Sequence, residues 1–319
     1  MERGTDMRKI LAALLALLLL LSAFPLALAS GETWYVNNPN PSDRLNLRVG
    51  TDENEYSLGK YYNGVKVTVL EKTNDLWYEV KVGNDPGAQI GYMLSTYLTS
   101  ELPSDYVNRM PVYVSTRKWT AYHQPDKASQ TETFAKGMRV YVMGEANGWR
   151  HVLVRLKGEG DYACFVPSDE PALTASLVAY VSNPDKADRL HLREKPEQNG
   201  QSLGKYYNGT QGTVLGQSMD LNWCYVDVYG RTGFMKSQFL CFHGEINNTY
   251  YGVVSTNVVQ DDATLYATPS KSGKQLVALH NGEALDVYGV LDGWLHVQVF
   301  HGSMGFVKQS DTGYTDPRN

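Results

Sequence analysis

The feature that most limits what this chain can fold into is an internal copy. The segment from Tyr35 to Arg48 returns as Tyr180 to Arg193, and Ser57 to Gly64 returns unchanged as Ser202 to Gly209. Both pairs lie 145 residues apart, and more than half of the residues from Trp34 to Leu70 match their partners. A second pair at the same offset is fainter: Gly148-Trp-Arg-His-Val-Leu-Val154 against Gly293-Trp-Leu-His-Val-Gln-Val299. Val114-Ser-Thr116 also echoes Val254-Ser-Thr256 at a shorter offset. The chain therefore reads as a two-module unit copied once, in the order A-B-A′-B′.

The modules share a plan of an early strand and turn, a Gly before a Val-rich strand, a Trp strand, and a short aromatic strand. Runs of β-branched and aromatic residues separated by Gly, Asn and Pro predict strands and tight turns. No amphipathic helix is expected beyond the leader. The 22 tyrosines and six tryptophans among 319 residues fit many short aromatic strands. Module A is expected at 34–98, B at 111–167, A′ at 178–240 and B′ at 252–309. The linkers expected between them are Thr99 to Met110, Pro167 to Ser176 and Cys241 to Tyr250. Units this small bury modest cores, so closed or nearly closed barrels that limit bare edges are expected.

Arg8 and Lys9 precede an apolar run from Ile10 to Leu21, and Ala27-Leu28-Ala29 supplies small residues at a cleavage site. Residues 1–29 therefore read as a secretory signal peptide cut after Ala29. An uncleaved anchor is the other reading, because Ile10 to Ala29 could almost span a bilayer. No cysteine follows for lipid attachment, and Asp311 to Asn319 is polar without a sorting signal. A secreted protein, free of the membrane after cleavage, is expected. The net charge of −5 gives no general pull toward nucleic acid. Three cysteines exclude a disulfide scaffold as the main source of stability. Cys224 and Cys241 could pair on export, or Cys224 could be a core thiol.

The succession Arg-Leu-x-Leu-Arg, Ser-Leu-Gly-Lys, Asn-Gly, Val-x-Val-Leu, Trp-x-x-Val and Gly-Tyr/Phe resembles the bacterial SH3-like (SH3b) repeat. Modules A and A′ resemble it across nearly their whole length, and B′ does so from Thr264 to Val307. Module B keeps Gly137, Gly148-Trp149 and Phe165-Val166 but lacks the Leu-x-Leu-Arg opening. The resemblance implies an all-β chain of four tandem small barrels in an exported bacterial protein. It further implies accessory modules that bind cell-wall peptidoglycan beside a hydrolase.

Strand alternation assigns faces. In Trp77-Tyr-Glu-Val-Lys-Val82 the apolar face takes Tyr78, Val80 and Val82, and Trp77 stands opposite. Trp223 stands opposite Cys224, Val226 and Val228, and Trp294 sides with His296 and Gln298. Trp149 shares its face with His151 and Leu153. One reading makes these four tryptophans partly exposed platforms for a sugar ring or peptide stem, since indole offers a broad apolar face and one donor. Tyr61-Tyr62 and Tyr206-Tyr207 would then form an opposite groove wall. The other reading has each Trp close a barrel end, roofed by Arg48 or Arg193. Those arginines could instead bind a ligand carboxylate, or pair locally with Asp43 and Asp188.

No catalytic constellation emerges. There is no Gly-x-Ser-x-Gly and no His-Glu-x-x-His, and the cysteines sit on strands rather than at a helix start. Cys241-Phe-His243 is a lone pair without further ligands, so neither a metal nor another cofactor is expected. The four modules leave no room for a catalytic domain. The expectation is a non-catalytic binder of cell-wall glycan or peptide, gaining affinity from several weak sites. The alternative is a structural array docking an exported protein partner.

Overall fold

The computed structural model describes residues 31–156, 160–185, 188–242, 254–300 and 302–316. The signal peptide, His243 and most of the Cys241–Tyr250 linker lie outside the described residues. Among the described residues no helix is long and apolar enough to cross a membrane.

The all-β expectation holds, but the ladders run as two antiparallel sheets and none closes on itself into a barrel among the described residues. Strands between Glu32 and Ala175 form one antiparallel sheet, and strands between Val178 and Lys308 form a second. The break between sheets falls where the sequence copy begins. Within each half the ladder runs through both modules, so a pair is one hydrogen-bonded body rather than two beads on a string. In the first half, strand Ser57–Tyr61 of module A pairs with strand Arg139–Ala146 of module B through Tyr61↔Gly144 and Lys60↔Glu145. In the second, Ser202–Tyr206 pairs with Ala284–Leu291 through Tyr206↔Gly289 and Lys205↔Val290. All four positions repeat at the same offset. A bulge in the receiving strand, between Val142 and Gly144 or between Val287 and Gly289, accompanies each joint. Glycine is required there. A Cβ on Gly144 would lie 2.7 Å from Tyr61 Cδ1, and one on Gly289 would lie 2.6 Å from Tyr206 Cε1.

The cores follow the alternation. Val80 and Val82 face Leu45, Leu47, Val67, Val69 and Met93 in module A, and Cys224, Val226 and Val228 do the same in A′. The A and A′ cores belong to one continuous apolar cluster that also takes in Met110, Val112 and Tyr141. Modules B and B′ have their own clusters. Module B packs against A′ as well as against A, through Arg139 and through Arg155, whose Nη1 donates to Asn222 Oδ1 at 3.1 Å.

The expected linker from Thr99 to Met110 is part of that centre. Asn108 is fully buried. Its amide donates to the Gln217 carbonyl at 2.9 Å, the Gln217 amide returns a bond at 3.1 Å, and Asn108 Nδ2 reaches Ser218 O at 2.9 Å. A bulge between Val214 and Gly216 opens the accepting strand at this point. Arg139 of module B adds a second tie, donating to the Ser237 and Leu240 carbonyls of A′ and lying 4.3 Å over the Phe242 ring. The Pro167–Ser176 linker likewise contains a strand, Leu173–Ala175, paired with Val112–Ser115. Polar and proline-rich composition marked these segments as linkers, but their backbone groups complete the sheets.

Candidate binding clefts at the module joints

The two readings of the tryptophans separate by module. Trp77 and Trp223 are only 5% and 6% exposed, although both stand on the face opposite their strand's valines. The ends of the strands are covered. Asn74 Oδ1 accepts from the amides of Leu76 and Trp77, wrapping the preceding turn over the indole's base. In A′ the turn at Ser218 does the same through Trp223 N, and Lys236 lies 5.7 Å over the ring. Both indoles are largely covered rather than open platforms, although Trp77 lines a cleft with Arg44, Arg48 and Tyr97, and Trp223 lines one with Arg139 and Lys236.

Arg48 and Arg193 do not roof them. Arg48 Nη1 donates to the Glu55 carbonyl at 2.7 Å, and Arg193 Nη1 to the Gly200 carbonyl at 2.6 Å. Each arginine clamps the loop after its own strand. Asp43 and Asp188 instead accept from the backbone amides of Arg44 and Arg189, at 2.8 Å each.

The tyrosines also turn inward. Tyr61 and Tyr206 are buried at the joints. The Tyr61 hydroxyl donates to Gln89 Oε1 at 2.7 Å and lies 2.8 Å from His151 Nδ1. Tyr206 lies 3.4 Å from His296 Nδ1. His151 stacks on Phe165 at 4.3 Å, and His296 on Phe306 at 4.2 Å. Burial pushes the two histidines down to about 3 and about 4, and pushes both tyrosine hydroxyls up. Burial therefore favours the neutral imidazole in both, and His151 also lines the cleft at its joint. Tyr207 is buried under Tyr314, its hydroxyl bonded to that of Tyr314. Tyr62 is half-buried, with Arg44 5.2 Å over its ring.

Trp149 and Trp294 are different. Both remain partly exposed. Each follows a two-residue turn, Asn147-Gly148 or Asp292-Gly293, a pairing suited to the left-handed conformations such hairpins need. Asn147 has φ 52° and Gly148 φ 80°. The turn delivers the indole to the mouth of a cleft at the joint. In the first pair Trp149 meets Tyr122 edge-on at 5.2 Å, and the cleft holds about 560 Å³ between Leu58, Pro125, Glu145 and Phe165. Tyr56, 60% exposed, stands at its rim and accepts from Asn147 Nδ2 at 2.6 Å. In the second pair Trp294 meets Tyr266 at 5.5 Å, and about 1070 Å³ lies between Leu203, Pro269, Lys205 and Arg231. Each cleft takes walls from both modules of a pair. Sequence reasoning missed the Pro in each lining and the Tyr that meets its Trp, although the motif is legible as Tyr122-His-Gln-Pro125 and Tyr266-Ala-Thr-Pro269.

Chemically, each cleft can hold an apolar or sugar face against an indole. Among the described residues no three His, Cys, Asp or Glu side chains gather as metal ligands. Cys164 is buried with its thiol pushed up by burial, the reverse of an activated nucleophile. Cys224 lies 3.3 Å from Ser237 Oγ in the A′ core. It is the core thiol of the two alternatives, and no disulfide joins it to Cys241.

No family model and no curated protein matches the chain. Among solved structures it is similar to NlpC2 from Trichomonas vaginalis, at 12% identity over 44% of this chain and 48% of that one, with a TM-score of 0.23. A putative autolysin from Listeria monocytogenes matches at 13% identity over 63% and 90%, with a TM-score of 0.17. An NlpC/P60 family protein from Bacillus cereus matches at 14% over 89% and 96%, with a TM-score of 0.19. The chain spans about half the length of the first of these. Scores and identities this low do not establish a shared fold.

Proposed function

We propose that the chain is an exported, non-catalytic binding protein. Its four modules are SH3-like barrels joined in pairs, at 34–98, 111–167, 178–240 and 252–309, and they engage the bacterial cell envelope through peptidoglycan. The observation that carries this reading is the recurrence of the joint cleft. A copied unit has kept a partly exposed Trp, an edge-on Tyr and a Pro at the same place in both copies. A buried core needs no exposed indole at a cleft mouth, whereas a binder of ring-shaped or extended ligands does.

The test is co-sedimentation of residues 30–319 with insoluble peptidoglycan sacculi. Saturable sedimentation that is competed by soluble wall fragments and abolished by Trp149→Ala with Trp294→Ala is expected. Retention by that double variant would refute the cleft assignment, and no sedimentation of folded protein would refute the ligand. Docking of an exported partner protein is the second reading. It is favoured by the strand Gln275–Ala278, which ends the second sheet with all four residues exposed and could accept an added strand. Clearing of wall suspensions would contradict both.

A further inference from the structure

The two clefts share their aromatic walls but not their charge. In the first, Glu145 is the charged lining residue, and His151 is neutral. In the second, Arg189, Lys205 and Arg231 line the walls against one carboxylate, Asp292. The reversal comes from two exchanges at equivalent positions. Val290 stands where the first pair has Glu145, opposite Lys205 as Glu145 is opposite Lys60. Arg231 stands on the strand before the joint where the first pair has Gln89.

Of these cations the fold engages Arg189 in an ion pair, but not Lys205 or Arg231 among the described residues. In the first pair, Glu145 takes up Arg44 at 3.0 Å and Arg150 at 3.5 Å. With Val290 in its place, Arg189 turns to Asp316 of the C-terminal segment. Arg189 is 6% exposed, and its Nε has no acceptor. The Nε of Arg231 is also buried with no acceptor, and neither Arg231 nor Lys205 makes an ion pair among the described residues. Arg231 and Lys205 therefore line the cleft as cations that no carboxylate of the described chain pairs with, and a guanidinium fits a carboxylate through two parallel bonds.

The geometry points to the A′–B′ cleft as a carboxylate subsite: Arg231 and Lys205 hold a ligand carboxylate while its neighbouring ring or apolar face lies on Trp294. The A–B cleft, with Glu145 at the equivalent wall, takes the uncharged part of a ligand. This rests on the clefts being ligand sites, and it makes the two copies complementary rather than redundant. The carboxylate can belong to a peptide C-terminus or to an acidic sugar.

The test uses residues 30–319 labelled with ¹⁵N, following the indole N–H signals of Trp149 and Trp294. The probes are N-acetyl-Ala-Ala with a free carboxylate, its C-terminal amide, N-acetylmuramic acid and N-acetylglucosamine. A shift of the Trp294 signal with an acid and not with its neutral counterpart is expected, and which acid acts tells the peptide source from the sugar. Arg231→Gln, which installs the first pair's residue, should weaken that response about 10- to 100-fold, the worth of a charged hydrogen-bonded pair. Gln89→Arg with Glu145→Val should bring an acid response to Trp149. Equal shifts with acid and neutral probes, no shift with either acid at millimolar concentration, or an Arg231→Gln response like the wild type would each overturn the assignment. Sacculus sedimentation that survives Arg231→Gln unchanged, alongside such a result, would leave wall binding standing and remove only the carboxylate subsite.

Discussion

Replacing Gly144 by Ala tests whether the pair, rather than the single module, is the folding unit. The added Cβ would sit 2.7 Å from Tyr61 Cδ1 and 2.9 Å from both Tyr61 Cε1 and the Lys60 carbonyl. Carbon atoms pack at about 3.5–4.0 Å, so the methyl must displace something. Tyr61 cannot swing away freely, since its hydroxyl is fixed by Gln89 and lies against His151 inside the joint. Nor can Lys60 O retreat without opening the Lys60↔Glu145 ladder. Gly144 is not among the residues with positive φ, so the penalty is steric rather than a backbone one. Overpacking of this kind costs about 1–3 kcal/mol. Urea unfolding followed by far-UV circular dichroism should show that loss by linear extrapolation. The decisive comparison is a double-mutant cycle. In a Tyr61→Leu background the ring that the methyl strikes is gone, so the Gly144→Ala cost should fall by at least half. An equal cost in both backgrounds, or a loss below about 0.5 kcal/mol in the wild type, would refute the close-packed joint.

Trp77→Ala should behave as a core deletion, costing about 3–5 kcal/mol by chemical denaturation, whereas Trp149→Ala should cost far less and act on binding. For pH, the sign follows from His151 and His296, whose values in the fold are held by burial at about 3 and about 4 against 6.5 when unfolded. The unfolded chain binds more protons in between, so stability is full above about pH 6.5 and falls as pH drops toward 4. The urea midpoint should therefore decline between pH 7.5 and 5.5, and His151→Phe should flatten that decline relative to wild type. Asn108→Ala keeps the two backbone bonds to Gln217 but removes the Nδ2 bond to the Ser218 carbonyl across the halves and the Oδ1 acceptor of the Met110 amide. Native-state hydrogen exchange should then show Gln217 and Ser218 losing protection while the module B core keeps its own.

What was legible in the sequence follows from what kind of pattern each feature leaves. Strand identity and the apolar face of Val80, Val82, Val226 and Val228 were readable because a two-residue period is local. The burial of Trp77 was not, because it depends on how the turn held by Asn74 and the rest of the module pack, which a two-residue period does not encode. Alternation says which way a side chain points, not whether a turn folds back over it. Tyr61 misled for a related reason: two adjacent tyrosines in a turn region look exposed until another module docks on them. The docking signal was present, since Gly144 and Gly289 recur with Tyr61 and Tyr206, but a glycine in a strand announces close approach without naming the partner. The Thr99–Met110 segment shows the same limit, for its composition is a linker's while Asn108 serves as a strand partner.

The joint also explains why the copy unit is two modules long. A single module would leave Tyr61, His151 and Phe165 uncovered, and the cleft would lose one wall. Copying the pair preserved a finished interface, and it left both clefts built on sheet edges that are already paired. Because the halves meet through Asn108, Gln217 and one core cluster shared by A, B and A′, the two clefts belong to one packed body rather than to units on a flexible tether. Fixed spacing raises the effective concentration of the second contact only for ligands whose repeat matches it, and it excludes others. A regular polymer is the kind of ligand that rewards such an arrangement. On the function proposed above, Val290 in place of Glu145 and Arg231 in place of Gln89 would let the two clefts contact different parts of one repeating unit.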